Sequence, residues 1–169
     1  SQDKPDILFI VHEHVRSYKT IAKRKQFVKQ FEEEENYTMK GKLSQSIRSF
    51  KFPFIPETYD LSIDAHQISE FLQSWHRKKL NNEDNVWIVK PWNLSRSMTM
   101  TVSDDYTALL KASLPGPKIC SKYVSNPCLL DGKKFDFRFL VMVKPVSSTE
   151  ISVAVHNSYY IRIGNHKYS

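Results

Sequence analysis

Glycine is scarce in this sequence. Its 169 residues contain four. Backbone that must come close to a phosphate or take a positive φ therefore has few places to do so. Cysteine is scarcer still, with Cys120 and Cys128 alone. Their eight-residue spacing, with no C-x-x-C and no matching histidine pair, excludes a zinc-finger signature and argues against a disulfide framework. Both are expected to be buried free thiols in a reducing, cytoplasmic setting. No apolar run approaches the ~20 residues of a membrane span, and Ser1-Gln2-Asp3-Lys4 lacks a signal-peptide pattern. There is no starting methionine, so a processed chain or a piece of a longer one is expected. His12-Glu13-His14 offers two metal-type ligands with no third nearby, which fits a surface or hydrogen-bonded pair better than a metal site. Repeats and low-complexity tracts are absent.

What is present is positive charge and enough apolar matter for a core. The formal net charge is +7, with 25 Lys and Arg against 18 Asp and Glu. Apolar residues make up 40% and aromatics 12%, which excludes wholesale disorder. A basic chain suits an anionic partner: nucleic acid, a nucleoside phosphate or an acidic protein tail. The clusters Lys23-Arg24-Lys25 and His76-Arg77-Lys78-Lys79 read first as solvated surface.

In chain order, Ile7 to Val11 reads as a strand, residues 17–24 as a helix and 26–30 as a second strand. Met39 to Ser49 reads as a helix with Leu43, Ile47 and Phe50 on one stripe, and Pro53 and Pro56 make Lys51 to Tyr59 an extended linker. A helix with a stripe of Ile68, Phe71, Leu72 and Trp75 follows, capped by Ser62 or Asp64 and ending near Lys79. Val86 to Lys90 is an apolar strand, residues 92–101 a loop, and Ser103 the expected cap of a short helix broken at Leu114-Pro115-Gly116-Pro117. Lys118 to Val124 is another strand. Beyond the Asp131-Gly132 turn, an antiparallel meander is expected over Lys134 to Lys144, Thr149 to His156 and Tyr159 to Ile163. Its edge after Tyr160 would need covering by further strands.

Two pieces carry the chemistry. Val86-Trp87-Ile88-Val89-Lys90-Pro91-Trp92 ends an apolar strand on a lysine. In Lys134-Phe135-Asp136-Phe137-Arg138-Phe139 a period of two puts the three charges on one face and the three phenylalanines on the other, where they are expected to be core. Lysines gathered at one cleft are costly unless an anion fills it, and a polyphosphate is the natural counter-charge. The alternating phenylalanines also invite comparison with RNA-stacking sheets. No Lys/Arg-Gly-Phe-Gly-Phe run accompanies them, so a nucleic-acid module is the weaker reading.

The same residues carry a resemblance. Val86 to Ser97, the pattern Ser121-Lys122-Tyr123-Val124-x-x-Pro127-x-Leu129-Leu130, and Lys134 to Arg138 together resemble the tubulin–tyrosine ligase-like family, with further likeness at Lys29 to Phe31, Tyr37 to Lys40 and Tyr160-x-Arg162. The resemblance implies an α+β, ATP-grasp-like fold, incomplete here: the end of an N-terminal lobe at 1–38, a central lobe at 39–122, and the first antiparallel strands of a truncated C-terminal lobe at 123–169. It implies ATP with Mg2+ as cofactor. It also implies a reaction in which a carboxylate is phosphorylated and an amino acid's amine attacks the acyl phosphate, the usual substrate being the acidic tail of tubulin. By position, Lys40, Lys90, Ser121, Lys122, Val124, Lys134 and Asp136 would meet ATP, and Arg138 and Arg162 the substrate carboxylates. Two departures from the family pattern are visible. The loop after Lys90, Pro91 to Met100, has no glycine, and Leu94, Ser97 and Thr99 stand where glycines would. The family's metal-binding Asp and Glu-x-Asn lie much farther along the family pattern than Ser169. A binding protein with a degenerate site, inactive as a ligase by itself, is therefore expected; an active ligase of which this is one part is the alternative.

Overall fold

The computed structural model describes residues 7–8, 27–28, 34–48, 50, 52–62, 64–92, 99–147 and 150–168. Strands β1 (Ile7–Leu8) and β2 (Phe27–Val28) pair in parallel, inside the two strands expected from sequence. His12, His14 and the helix expected over 17–24 lie outside the described residues, as do positions 93–98 of the loop after Lys90.

Helices α1 (Glu35–Thr38) and α2 (Lys40–Arg48) lead to an antiparallel four-stranded sheet in the order β3-β6-β4-β5, with β3 (Thr58–Asp60), β4 (Trp87–Pro91), β5 (Thr101–Ser103) and β6 (Lys118–Lys122). Helices α3 (Ala65–Leu80) and α4 (Tyr106–Ser113) send Phe71 and Leu109 into its core. Burial alternates along β4, with Trp87, Val89 and Pro91 buried and Ile88 and Lys90 only partly so. The core gathers Tyr59, Leu61, Phe71, Trp87, Val89, Leu109 and Cys120. Phe71 meets Trp87 edge-on, with centroids 5.1 Å apart at 88°. The buried indole N–H of Trp87 donates to Asn85 Oδ1 at 2.8 Å, and Asn85 Nδ2 donates to the Trp75 carbonyl at 2.9 Å.

Local chemistry accounts for the element ends. Asp64 caps α3 by accepting from the His66 N–H at 2.9 Å, and Arg77, Lys78 and Lys79 complement the dipole at its C-terminus. The cap of α4 is Asp105, which accepts from the Thr107 N–H at 2.8 Å. Ser103, the cap expected from sequence, instead closes β5 and accepts from the Asp105 N–H at 3.0 Å. The linker expected up to Tyr59 ends early, because Thr58–Asp60 pairs with Ser121, Cys120 and Ile119.

The meander departs further from expectation. It consists of β7 (Leu129–Leu130), β8 (Lys133–Pro145) and a single strand β9 (Ile151–Ile163), in the order β7-β8-β9. The expected break near His156 to Ser158 is a bulge. Phe139 pairs with Tyr159 and Val141 with Val155, so three residues face Leu140 alone. The Ser158 N–H donates to His156 Nδ1 at 3.0 Å across the bulge. Phe137 and Phe139, expected in the core, are 49% and 51% exposed, because among the described residues the ribbon has no layer packed on them. Cys120 is buried as expected, but Cys128 is exposed, on the connection between β6 and β7.

This division of burial predicts a division of stability. Phe71→Ala should cost about 3–5 kcal/mol, and Phe139→Ala about 1 kcal/mol or less, measured by urea unfolding. Equal losses would contradict the packing described.

Candidate functional site

The pairing register puts one row of residues opposite the core. Ile88 and Lys90 on β4, Ile119 and Ser121 on β6, and Thr58 on β3 share the sheet face away from Trp87 and Val89. Helix α2 lies over this row. Between helix and sheet is a cleft of about 540 Å³, within the range of small-molecule sites. Leu43 and Ile47 of α2, with Phe52 and Ile55 of the linker, form its apolar wall, and Lys40, Lys90, Ile119 and Ser121 also line it.

The polar groups of the cleft divide by charge. Burial, and then the neighbouring charge of Lys40, hold the Lys90 ammonium pKa below its ordinary value. Among the described residues no carboxylate pairs with Lys90. Elsewhere in the cleft the charges are matched. Arg48 donates to Gln67 Oε1 at 2.9 Å, pairs with Glu70 and lies 5.4 Å from the Tyr59 ring centroid. Glu57 accepts from the Ser74 hydroxyl at 3.0 Å and pairs with Lys78 at 3.3 Å. The Cys120 thiol, behind the sheet, is pushed up to about 12 by burial and offers no nucleophile at neutral pH.

Lys40 reaches the corner because its neighbour is glycine. Gly41 is buried, and a Cβ there would fall inside the indole of Trp92. The approach of α2 to the end of β4 thus depends on the missing side chain.

Of the residues singled out from sequence, the structure brings Lys40, Lys90 and Ser121 together in the cleft. The Thr58 and Ser121 hydroxyls are hydrogen-bonded at 3.0 Å. Lys122 sits opposite Trp87, on the other face of the sheet. Its ammonium pairs with Asp84 at 3.0 Å and donates to the Val86 carbonyl at 3.0 Å. Val124 is exposed beyond the end of β6 and does not line the cleft. Lys134 donates to the Tyr123 hydroxyl and lies 4.4 and 4.1 Å from the ring centroids of Tyr123 and Tyr168, a cation held between two aromatic faces. Asp136 is engaged by both arginines of its row. Arg162 donates to it twice, at 3.1 and 2.7 Å, and Arg138 pairs with it at 3.1 Å. The Arg162 hydrogen bond leads the lowering of the Asp136 pKa below the usual carboxylate value.

Comparison with known proteins turns this geometry into an assignment. A family model described as the Tubulin-tyrosine ligase family matches residues 15–169. The chain belongs to the tubulin–tyrosine ligase family. Its relatives in the family include tubulin–tyrosine ligase-like protein 12 of Caenorhabditis elegans, 30% identical over 98% of this chain and 26% of that protein. The human protein of the same description is 29% identical over 100% of this chain and 27% of its own length. Tubulin glycylase 3D of Tetrahymena thermophila is 33% identical over 53% of this chain and 9% of its own length. The chain thus spans about a quarter of the length of the first two. The mixed helix-and-sheet architecture with antiparallel sheets agrees with this family.

Sequence reading missed the cleft's matched end, Glu57, Arg48 and Glu70, and the Gly41–Trp92 contact that seats Lys40. The one signal for the latter was a rare glycine beside a lysine. Among the described residues no group of three or more His, Cys, Asp and Glu is placed to hold a metal ion.

The electrostatics of Lys90 make a prediction with a definite sign. Its pKa is lower in the folded state than the unfolded value, ordinarily 10.5, so its charge opposes folding at neutral pH. That cost is full below the folded pKa and vanishes as the pH rises past the unfolded one. Lys90→Met should therefore raise the thermal midpoint at pH 7, by a margin that shrinks as the pH approaches 10.5. A lower midpoint at pH 7, or a gain independent of pH, contradicts the assignment.

Proposed function

We propose that this chain is the nucleotide-binding part of a tubulin–tyrosine ligase-like protein with a degenerate ATP-grasp site, and that it acts by binding tubulin or another acidic-tailed protein rather than by ligating an amino acid to it. The observation that carries the reading is the corner where Lys90, desolvated and without a carboxylate partner among the described residues, feels the charge of Lys40 in a cleft of nucleotide size. Two cations so placed fit a polyphosphate. The donor set suits ATP: Lys40 and Lys90 would hold phosphates, and Ser121 lies farther along the same wall. When bound, ATP would supply the phosphoryl group that activates a carboxylate.

The metal fits less well, since the described residues hold no carboxylate cluster for magnesium. The glycine-free Pro91 to Met100 supports the degenerate reading, because phosphate-cradling loops rely on backbone N–H groups that side chains and proline obstruct. In this reading residues 1–38 end an N-terminal lobe, 39–122 form the central lobe and 123–169 begin the C-terminal one. Lys134 and Asp136 would flank the nucleotide once released from their present partners, and Lys122 and Val124, which lie outside the cleft, would reach it only by a further movement. Arg138 and Arg162 meet the acidic tail in place of Asp136. The net charge of +7 supports an acidic partner.

The test uses the full-length protein. MgATP should raise the thermal midpoint of the wild type and not that of Lys90→Ala. An acidic tubulin-tail peptide should bind, more weakly after Arg138→Ala or Arg162→Ala, with no mass added to the peptide on incubation with ATP and tyrosine, glycine or glutamate. Mass addition would establish an active ligase instead. Equal ATP shifts in wild type and Lys90→Ala would remove the nucleotide cleft.

A further inference from the structure

One buried donor beside the cleft has no acceptor. The backbone N–H of Trp92 donates to the Pro117 carbonyl at 3.1 Å, which carries the β4–β6 ladder one residue past Pro91. Two residues after Lys90, Trp92 falls on the same side of the sheet. The part of its indole that includes Nε1 rests against Gly41, the neighbour of Lys40. Nε1 is buried and has no hydrogen-bond partner among the described residues. The other two tryptophans are satisfied: Trp75 donates to the Asp104 carbonyl at 2.9 Å, and Trp87 to Asn85 Oδ1 at 2.8 Å.

An indole N–H can only donate, and a buried donor left unmatched calls for an unseen acceptor, an ion or a water. Here that donor lies beside Gly41, next to the corner where Lys90 is desolvated and has no carboxylate partner among the described residues, so an acceptor bearing negative charge suits both groups. We propose that Trp92 Nε1 is a third donor of this corner, and that with Lys40 and Lys90 it binds a phosphate oxygen of the polyphosphate the cleft takes. The proposal rests on the nucleotide reading above and deepens it. It also gives the glycine-free loop a counterpart. Proline at 91 removes a backbone N–H just after Lys90, and the next residue brings a side-chain N–H instead. Trp92 does not itself line the cleft, so engagement requires the first turn of α2 to shift.

The test follows the three indole N–H resonances of the 15N-labelled protein, with that of Trp92 identified by its loss in Trp92→Phe. Sodium tripolyphosphate and ATP should move the Trp92 resonance downfield and leave those of Trp75 and Trp87 in place, and adenosine should move none. Trp92→Phe should weaken tripolyphosphate binding by about ten-fold or more, the loss expected for a hydrogen bond to a charged acceptor. It should leave adenosine binding unchanged. If Trp92→Phe does not fold, the displacement of the wild-type resonance decides alone. Tripolyphosphate binding with the Trp92 resonance unmoved overturns the role of Trp92 and leaves the nucleotide reading intact. Absence of any binding by the wild type overturns both.

Discussion

The burial of Trp87 sets the phase of everything around it. A strand has two faces, and a large side chain committed to one of them commits its neighbours. Trp87 packs edge-on against Phe71 and satisfies its indole N–H through Asn85, so β4 has a single register in which Val89 follows it inward. Lys90 must then point the other way, into the space under α2. The same phase, passed through the β4–β6 and β3–β6 pairings, sends Ile119, Ser121 and Thr58 to the cleft and keeps Cys120 and Tyr59 in the core. The charged corner follows from an aromatic packing on the opposite side of the sheet.

That constraint sorts the basic residues into two groups. Lys122, Lys134, Arg138 and Arg162 are engaged by Asp84, by two tyrosine rings and by Asp136, mostly at positions where solvent screens the pairing and its net worth is small. Lys90 is different in kind. It is desolvated, near a like charge and unmatched by any described carboxylate, which leaves the cleft as the place where an anion gains most. Gly41 and Trp92 hold Lys40 to this corner.

Much of this was legible in the chain, and the rest was hidden for physical reasons. The strands at Val86 to Lys90 and Lys118 to Val124 and the α3 stripe were readable because their periods are long enough to exclude alternatives. β3 was not, because three residues behind Pro53 and Pro56 carry too little pattern, and only pairing with β6 makes them a strand. Asp64 was among the expected caps of α3, but the cap of α4 was misplaced by two residues, because serine and aspartate are both competent caps and the choice between Ser103 and Asp105 depends on where β5 stops. At β9 the polar His156-Asn157-Ser158 looks like a turn, and a bulge absorbs it instead. The alternation over Lys134 to Phe139 gave the two faces correctly but not their burial, since alternation says which residues share a face and not what covers it. The lysines were expected to converge, yet sequence cannot tell which face of β6 Lys122 takes until β4 fixes the register.

The most direct measurement is the titration of Lys90 itself, by NMR of the protein with 13Cε-labelled lysine, without and with tripolyphosphate. A Lys90 pKa below the ordinary lysine value in the free protein, rising when the polyanion binds, is what a desolvated cation beside Lys40 must show. An ordinary lysine value that does not respond to the anion would contradict the account.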